Sequence, residues 1–144
     1  IHPAAPDAPT VDDSIEDLSF TYTSSFLLFG GKGSSVDSVT VNGSSTSVTY
    51  PTDTTWKKTV SLSFGSNAHS LVAIDGTASS ATAAYSIYRR LMGDVNQDDT
   101  VNDYDLSKFV KLWGGSSSSG DFNEDEAVDD YDFSMLVARW GLSV

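Results

Sequence analysis

The spacing of apolar residues divides the chain into two parts with different periodicities. Between about residues 10 and 90, short runs rich in Val, Thr and aromatic residues alternate with turn signals such as Gly30-Gly31 and Asn42-Gly43. Runs of this kind, bounded by Gly, Asn and Pro, are typical of β-strands. The predicted strands are Ser19–Tyr22, Phe26–Phe29, Val36–Val41, Ser47–Tyr50, Thr59–Phe64, Ser70–Ile74 and Ala83–Tyr88. Asn42-Gly43, between two of these runs, predicts a hairpin turn.

After Gly93 the apolar residues follow the helical spacing i, i+3, i+4, i+7. This spacing occurs twice, in Leu106, Phe109, Val110 and Trp113 and again in Phe133, Leu136, Val137 and Trp140. Gly114 and Gly141 follow the two stripes, where helices commonly end. The predicted fold class is therefore two domains, an all-β immunoglobulin-like sandwich followed by a small α-helical module. We place a Pro-rich linker at residues 1–9, the sandwich at 10–90 and the helical module at 91–144.

One pattern is written twice in the C-terminal part, which indicates that one structural unit is used twice. The first copy, which begins at Gly93, reads GDVNQDDTVNDYDLSKFVKLWG, and the second, 27 residues later, reads GDFNEDEAVDDYDFSMLVARWG. Oxygen-bearing side chains recur at loop positions 1, 3, 5, 9 and 12, counted from Asp94 and Asp121. They are Asp94, Asn96, Asp98, Asn102 and Asp105 in the first loop and Asp121, Asn123, Asp125, Asp129 and Asp132 in the second.

This spacing is typical of a loop of about twelve residues that surrounds a hard cation with about six to eight oxygens. Position 7, which is Thr100 in one copy and Ala127 in the other, would add a backbone carbonyl. Neither loop contains Cys or His, and the many carboxylates favour calcium over magnesium. We therefore predict two bound calcium ions. Position 6, which is Gly in an ordinary EF-hand loop, is Asp99 or Glu126 here, and position 12 is Asp instead of Glu.

A duplicated loop and helix that opens Gly-Asp-Val-Asn and lacks an entering helix resembles the dockerin type I domain over Gly93–Leu142. The resemblance implies a non-catalytic module that folds with calcium and binds a cohesin module of a scaffoldin or surface protein. It also implies that recognition is centred on loop positions 10 and 11, which are Asp103-Tyr104 and Asp130-Tyr131. Identical pairs would permit docking in two orientations. Lys111, a further candidate for partner binding, is matched by Ala138, so the two faces are not equivalent throughout.

The β-rich part resembles bacterial immunoglobulin-like accessory domains such as the B domain of glucodextranase. The resemblance rests on Val-Asn-Gly, a later Trp, Gly-x-Asn and Ala-x-Asp-Gly. Together, the two parts resemble the X-module–dockerin pairs of cellulosomal proteins. His69 is the only histidine in this part and has no nucleophile or acid at a recognisable spacing, so we predict no enzymatic activity. Two alternatives stay open: a calcium-stabilised structural module without a cohesin partner, and carbohydrate binding through Trp56 and Tyr50.

Charge and composition limit the partners and the location. The net charge is −12, and the part from Gly93 onward contains 12 acidic and 3 basic residues. Nucleic acid is excluded as a partner because no basic patch could meet its phosphates. We also expect no membrane insertion. The chain has no Cys and begins at Ile1 without a Met. Because the weaker calcium loops need calcium at up to about millimolar concentration, we expect a fragment of a longer secreted or cell-surface protein.

Overall fold

The computed structural model of the chain describes residues 4–144. The strands and helices are β1 (Phe20–Thr21), β2 (Ser25–Gly31), β3 (Ser38–Val41), β4 (Thr55–Ser61), β5 (Gly65–Asp75), β6 (Ala78–Ser79), β7 (Ala83–Arg89), α1 (Asp103–Leu112) and α2 (Asp130–Ala138). They belong to two compact units. The first unit comprises the described residues up to Ser19 together with Thr23–Tyr88, and the second comprises Phe20–Tyr22 and Arg89–Val144. None of the helices in residues 4–144 has the length and apolar character that crossing a membrane requires.

The first unit contains two sheets. In one, β2 and β4 pair antiparallel. In the other, β5 lies between β7 and β3, and β6 also pairs with β5. Along β5, the buried residues His69, Leu71 and Ala73 alternate with more exposed ones, the period of a strand with one face on a core. The fully buried side chains of this core are Leu28, Val39, Trp56, Leu71, Ala73 and Ile87.

The residues before the first strand are held against β2. The Thr10 N–H donates to the Gly31 carbonyl at 3.0 Å, and the Gly31 N–H donates to the Thr10 carbonyl at 3.1 Å. The indole N–H of Trp56 also donates to the Thr10 carbonyl, at 3.0 Å. A Cβ on Gly30 would overlap that carbonyl oxygen and lie 2.8 Å from the Cα of Val11. Only glycine therefore allows this close approach of backbone to backbone.

The predicted fold class is wrong. Residues 4–144 are mostly β-structure with two short helices, of 10 and 9 residues, instead of an immunoglobulin-like domain followed by a helical one. One reason is that the acidic loops are not helical, because their carboxylates accept hydrogen bonds from nearby amides and hold the backbone in turns. Another is that Phe20–Tyr22, predicted to lie in a sandwich strand, belongs to the second unit.

Several details of the β-rich part also differ from the prediction. The run Ser47–Tyr50 is not a strand, and only Thr49 forms an isolated bridge, to Lys57. Asn42 and Gly43 form the predicted turn, with φ of 53° and 83°. No extended hairpin follows, because β3 pairs with β5, which is distant along the chain. Of the linker predicted at residues 1–9, residues 1–3 lie outside the described part, and residues 4–9 contain neither helix nor strand.

The second unit has a core to which the two copies of the repeat contribute equivalent residues. Val95 and Phe122 are one such pair, and Val101 and Val128 are another; all four are buried. Phe109 and Leu136, one from each helix, are fully buried in the same cluster. Tyr22 from the distant N-terminal segment completes this core with 3% exposure. The two helices lie where the stripes predict, but only Phe109 and Leu136 of the eight stripe residues are buried, and the repeat alone does not form the core.

Burial of His69 predicts a pH-dependent stability of the first unit. Desolvation lowers the pKa of His69 below its usual value, and the side chain is 4% exposed. Below about pH 6.5 the unfolded chain binds a proton that the folded chain does not, so stability falls as the pH falls. We expect a slope of at most about 1.4 kcal/mol per pH unit in this window. Urea unfolding of the calcium-saturated protein between about pH 6.5 and 5 measures it. His69→Gln should abolish this component, and an unchanged slope in that variant would contradict the assignment.

Candidate metal centres

The starts of the two helices fix the last carboxylate of each acidic loop. Asn102 caps α1 and Asp129 caps α2, each within a capping box. The Asn102 N–H donates to the Asp105 carboxylate at 2.9 Å, and the Asp129 N–H donates to the Asp132 carboxylate at 3.0 Å. This reciprocal bonding is characteristic of helix N-termini. Asp105 and Asp132 are therefore held in place at 0% exposure.

The first loop brings three carboxylates together. Oxygens of Asp94, Asp98 and Asp105 all lie within 4.8 Å of one another. Oxygens that bind one calcium ion at about 2.3–2.6 Å are at most about 5 Å apart, so this spacing fits a calcium ion. Backbone amides hold the group in place. The Asp94 carboxylate accepts from the amides of Asp98 at 3.1 Å and Asp99 at 2.8 Å, and Asp105 accepts from the Asn96 amide at 3.1 Å.

The second loop repeats this geometry. Oxygens of Asp121, Asp125 and Asp132 lie within 4.8 Å of one another. The Asp121 carboxylate accepts from the amides of Asp125 at 3.1 Å and Glu126 at 2.7 Å. The Asp132 carboxylate accepts from the Asn123 amide at 3.3 Å. The same hydrogen bonds recur at the same loop positions, so the internal repeat extends to the local geometry.

Two amide side chains provide an indication of a cation that does not depend on the acidic residues. The Oδ1 atoms of Asn96 and Asn123 are buried and have no hydrogen-bond partner within the described part of the chain. Their Nδ2 groups each donate at 3.2 Å, to Asp98 and Asp125 respectively. Leaving a buried acceptor unpaired costs about 1–3 kcal/mol. A cation in each loop would give these oxygens a partner, and position 3 is a ligand position in calcium loops of this length.

The other predicted ligand positions have different surroundings. The amides of Thr100 and Ala127 donate to Asp98 and Asp125, each at 3.1 Å. The side chain of Asn102 accepts from the Tyr104 amide at 3.1 Å, as the cap of α1. Asp129 does the same for α2. The structure thus gathers three carboxylates in each loop, with an Asn oxygen from the same loop, while position 9 caps the helix.

Four non-glycine residues in the loops adopt left-handed backbone conformations. Asp99 and Glu126, at position 6, have φ of 66° and 70°. This conformation is expected, because ordinary calcium loops have glycine at position 6 to make a sharp turn. Gln97 and Glu124, at position 4, have φ of 63° and 59°, and no feature of the sequence indicated this. Each such residue costs about 1–2 kcal/mol relative to a right-handed conformation. The network of amides and carboxylates in each loop sustains this strain.

Electrostatics in the loops favour a bound cation. Burial raises the pKa of Asp94 and of Asp132, because a desolvated carboxyl group is less stable when charged. Neighbouring carboxylates add to the rise, Asp105 beside Asp94 and Asp121 beside Asp132, while hydrogen bonds from backbone amides oppose it. A divalent cation between the carboxylates would favour their charged form and so offset both effects. A cation bound in each loop would therefore reduce the repulsion between its carboxylates.

The residues predicted to bind a partner are on the surface. Tyr104 and Tyr131 are 70% and 69% exposed, and Asp103 and Asp130 beside them are exposed as well. Lys111 is exposed in the last turn of α1. The two matched pairs therefore occupy the first turn of each helix, next to the acidic loops, with their side chains accessible.

The aromatic residues suggested for carbohydrate binding are not arranged as a stacking platform. Trp56 has 0% exposure and belongs to the core of the first unit. Tyr50 is 37% exposed, and its hydroxyl oxygen accepts a hydrogen bond from the Val39 amide at 2.8 Å. Trp56 therefore has no free face for a sugar ring.

Comparison with protein-family models, with curated proteins and with solved structures gave no match to this chain.

Proposed function

We propose that the second unit is a calcium-dependent, non-catalytic docking module that binds two calcium ions and attaches a larger secreted or surface protein to a cohesin module. The observation that carries the proposal is the pairing of two equivalent loops, fit for calcium, with exposed Tyr104 and Tyr131 at the adjacent helix starts. The sequence resemblance to dockerin type I domains supports the choice of partner.

In each loop, Asp94, Asp98 and Asp105, or their equivalents, would bind the ion together with the Asn oxygen at position 3. Calcium supplies positive charge that neutralises the clustered carboxylates. Because Asp105 and Asp132 also belong to the helix capping boxes, a loop ordered by calcium would fix the first turn of its helix. The residues that would contact the partner lie in that turn, so the free energy of metal binding contributes to the folding of the docking surface.

The exposed tyrosines favour docking over a purely structural calcium module. A structural role would be served by tyrosine rings that pack onto the loops, whereas docking requires accessible rings. Tyr104 and Tyr131 keep more than two thirds of their surface accessible, at 70% and 69%. Tyrosine is also among the residues that contribute most to binding energy in protein interfaces.

Binding of the full chain to an immobilised type I cohesin module tests this proposal. We expect capture in calcium and none after chelation. The double variant Tyr104→Ala/Tyr131→Ala should weaken binding at least about thirtyfold, the effect of losing one hot-spot residue, while still binding two calcium ions. Both tyrosines are replaced together because the matched pairs permit two orientations.

Tyr88→Ala is the matched control, since Tyr88 is an exposed tyrosine of the first unit, with 42% exposure. It should bind cohesin as the unaltered protein does. Binding that persists in chelator, or that the double variant leaves unchanged, would contradict the docking role even if both calcium sites are real.

A further inference from the structure

The two acidic loops match at their ligand positions but differ at position 4. This position is Gln97 in the first loop and Glu124 in the second. The Glu124 carboxylate accepts a hydrogen bond from the Thr21 hydroxyl at 2.6 Å and another from the Tyr22 amide at 3.2 Å. Gln97 makes no corresponding bond to a distant segment within residues 4–144. Only the second loop is therefore connected in this way to Phe20–Tyr22, which we call the tether segment.

The tether segment also covers the second loop with an aromatic side chain. The ring of Tyr22 meets the ring of Phe122 edge-on, with centroids 5.1 Å apart. Phe122 lies at position 2, between Asp121 and Asn123, and its equivalent in the first loop is the smaller Val95. The Tyr22 hydroxyl donates to the Ser119 carbonyl at 2.8 Å, just before the loop. Contacts with Tyr22 thus reach both the entrance and the interior of the second loop.

The Tyr22 hydroxyl is protonated at neutral pH, as that of an ordinary tyrosine is. Desolvation raises the pKa of Tyr22 further, to about 12. The tether segment is itself anchored, because the Arg90 amide donates to the Thr21 carbonyl at 2.9 Å. The Arg90 guanidinium also lies over the ring of Phe20, 3.4 Å from its centroid. The segment is therefore an ordered support for Glu124.

We propose that Glu124 is a positioning residue that makes the second calcium site the tighter of the two and couples it to the tether segment. This inference rests on the proposed calcium sites. The residue at position 4 has a left-handed backbone conformation in both loops. Contacts that hold this conformation before calcium binds reduce the conformational entropy lost on binding. In the second loop, two hydrogen bonds to Glu124 provide this support. Because coupling between sites is reciprocal, calcium in the second loop also stabilises the docked tether segment.

The decisive variant is Thr21→Val, which removes a donor to Glu124 and leaves every charge in both loops unchanged. Calcium titrations of the full chain are made in two backgrounds, Asp105→Asn to isolate the second site and Asp132→Asn to isolate the first. We expect the unmodified second site to bind more tightly than the first. Thr21→Val should weaken the second site about tenfold, the size of losing one hydrogen bond to a charged group, and leave the first unchanged.

A pair of position-4 variants provides the matched comparison. Glu124→Ala should weaken the second site more than Gln97→Ala weakens the first, because it removes both a negative charge of the loop and the two hydrogen bonds to the tether segment; Thr21→Val isolates the contribution of the hydrogen bonds. Hydrogen exchange of the Tyr22 amide gives a readout separate from affinity: calcium should raise its protection, but not in Glu124→Ala.

The outcomes separate this inference from the proposed function. Two calcium sites of equal affinity, both indifferent to Thr21→Val, would overturn the coupling and leave the docking module intact. Equal losses in the two position-4 variants would also overturn it. Failure of either background to bind calcium would instead overturn the proposed function on which the inference rests.

Discussion

Replacing Asp105 and Asp132 together with alanine is expected to abolish calcium binding and the stabilisation that calcium provides. Both carboxylates have 0% exposure, and each accepts backbone hydrogen bonds from its loop and from the helix cap. Without them, each site loses one of its three clustered carboxylates and the contact that joins the loop to the helix. At calcium one hundredfold above the dissociation constant, each site contributes about 2.7 kcal/mol, and this contribution should disappear.

Calorimetric titration of the chelator-stripped protein, with far-UV circular dichroism followed in parallel, measures this effect. The unaltered chain should bind two calcium ions with a gain of helix, each single variant one ion, and the double variant none. Asp103→Ala/Asp130→Ala is the matched control, because it removes two exposed carboxylates from the same helical turns. This control should still bind two ions. Two ions bound by the Asp105/Asp132 variant would contradict the ligand assignment, and loss of binding in the control would indicate a general charge effect.

The acidic triads were predictable because the three residues of each triad are close together in the sequence. Each triad comes from positions 1, 5 and 12 of one loop, and the repeat states the pattern twice. The helix starts carry a local signal too, since Asn102 and Asp129 are good N-cap residues ahead of an apolar stripe, but from the sequence these residues were assigned only as metal ligands. The left-handed residues at position 4 were not predictable. Gln97 and Glu124 are not residue types that favour this conformation, and the hydrogen bonds that hold the loops emerge only once the chain is folded.

The tether segment escaped the sequence analysis for a different reason. Its hydrogen bond from Tyr22 to Glu124 joins residues 102 positions apart in the chain. The β-prone composition of Ser19–Tyr22 indicated a strand, and Phe20–Thr21 form one, but composition does not specify which core an extended segment will join. Tyr22 therefore looked like a strand residue of the β-rich part, whereas it packs with Phe122 in the second unit.

The β-rich part illustrates a similar limit on predicting partners. Most of the strands exist close to their predicted positions, because β-branched and aromatic runs indicate extended structure. Their pairing was not predictable: β3 pairs with β5 instead of forming a hairpin across Asn42-Gly43. β4 also begins at Thr55, earlier than predicted, which places Trp56 inside a strand. A sugar-binding role was left open for Trp56 in the sequence analysis because the position of its strand was missed.

Burial of Trp56 predicts a large loss of stability when its side chain is removed. Trp56→Ala should destabilise the first unit by about 3–5 kcal/mol, the usual result of truncating a fully buried aromatic residue. The indole belongs to the same buried core as Leu28 and Val60, and its N–H donates to the Thr10 carbonyl at 3.0 Å. Trp56→Phe keeps most of the apolar volume but loses that hydrogen bond, so it should cost less. The residues around Thr10 should also become more accessible to proteolysis in both variants.

Urea unfolding of the calcium-saturated protein, followed by a probe in the first unit, measures these losses. Tyr88→Ala is the matched control, since it truncates an aromatic residue on β7 that is 42% exposed. The control should lose less than about 1 kcal/mol, because exposed side chains contribute little to the core. A similarly small loss in Trp56→Ala would mean that the indole is on the surface and would revive a role in stacking against sugars. A large loss places Trp56 in the core of the first unit and removes it as a candidate for stacking against sugars.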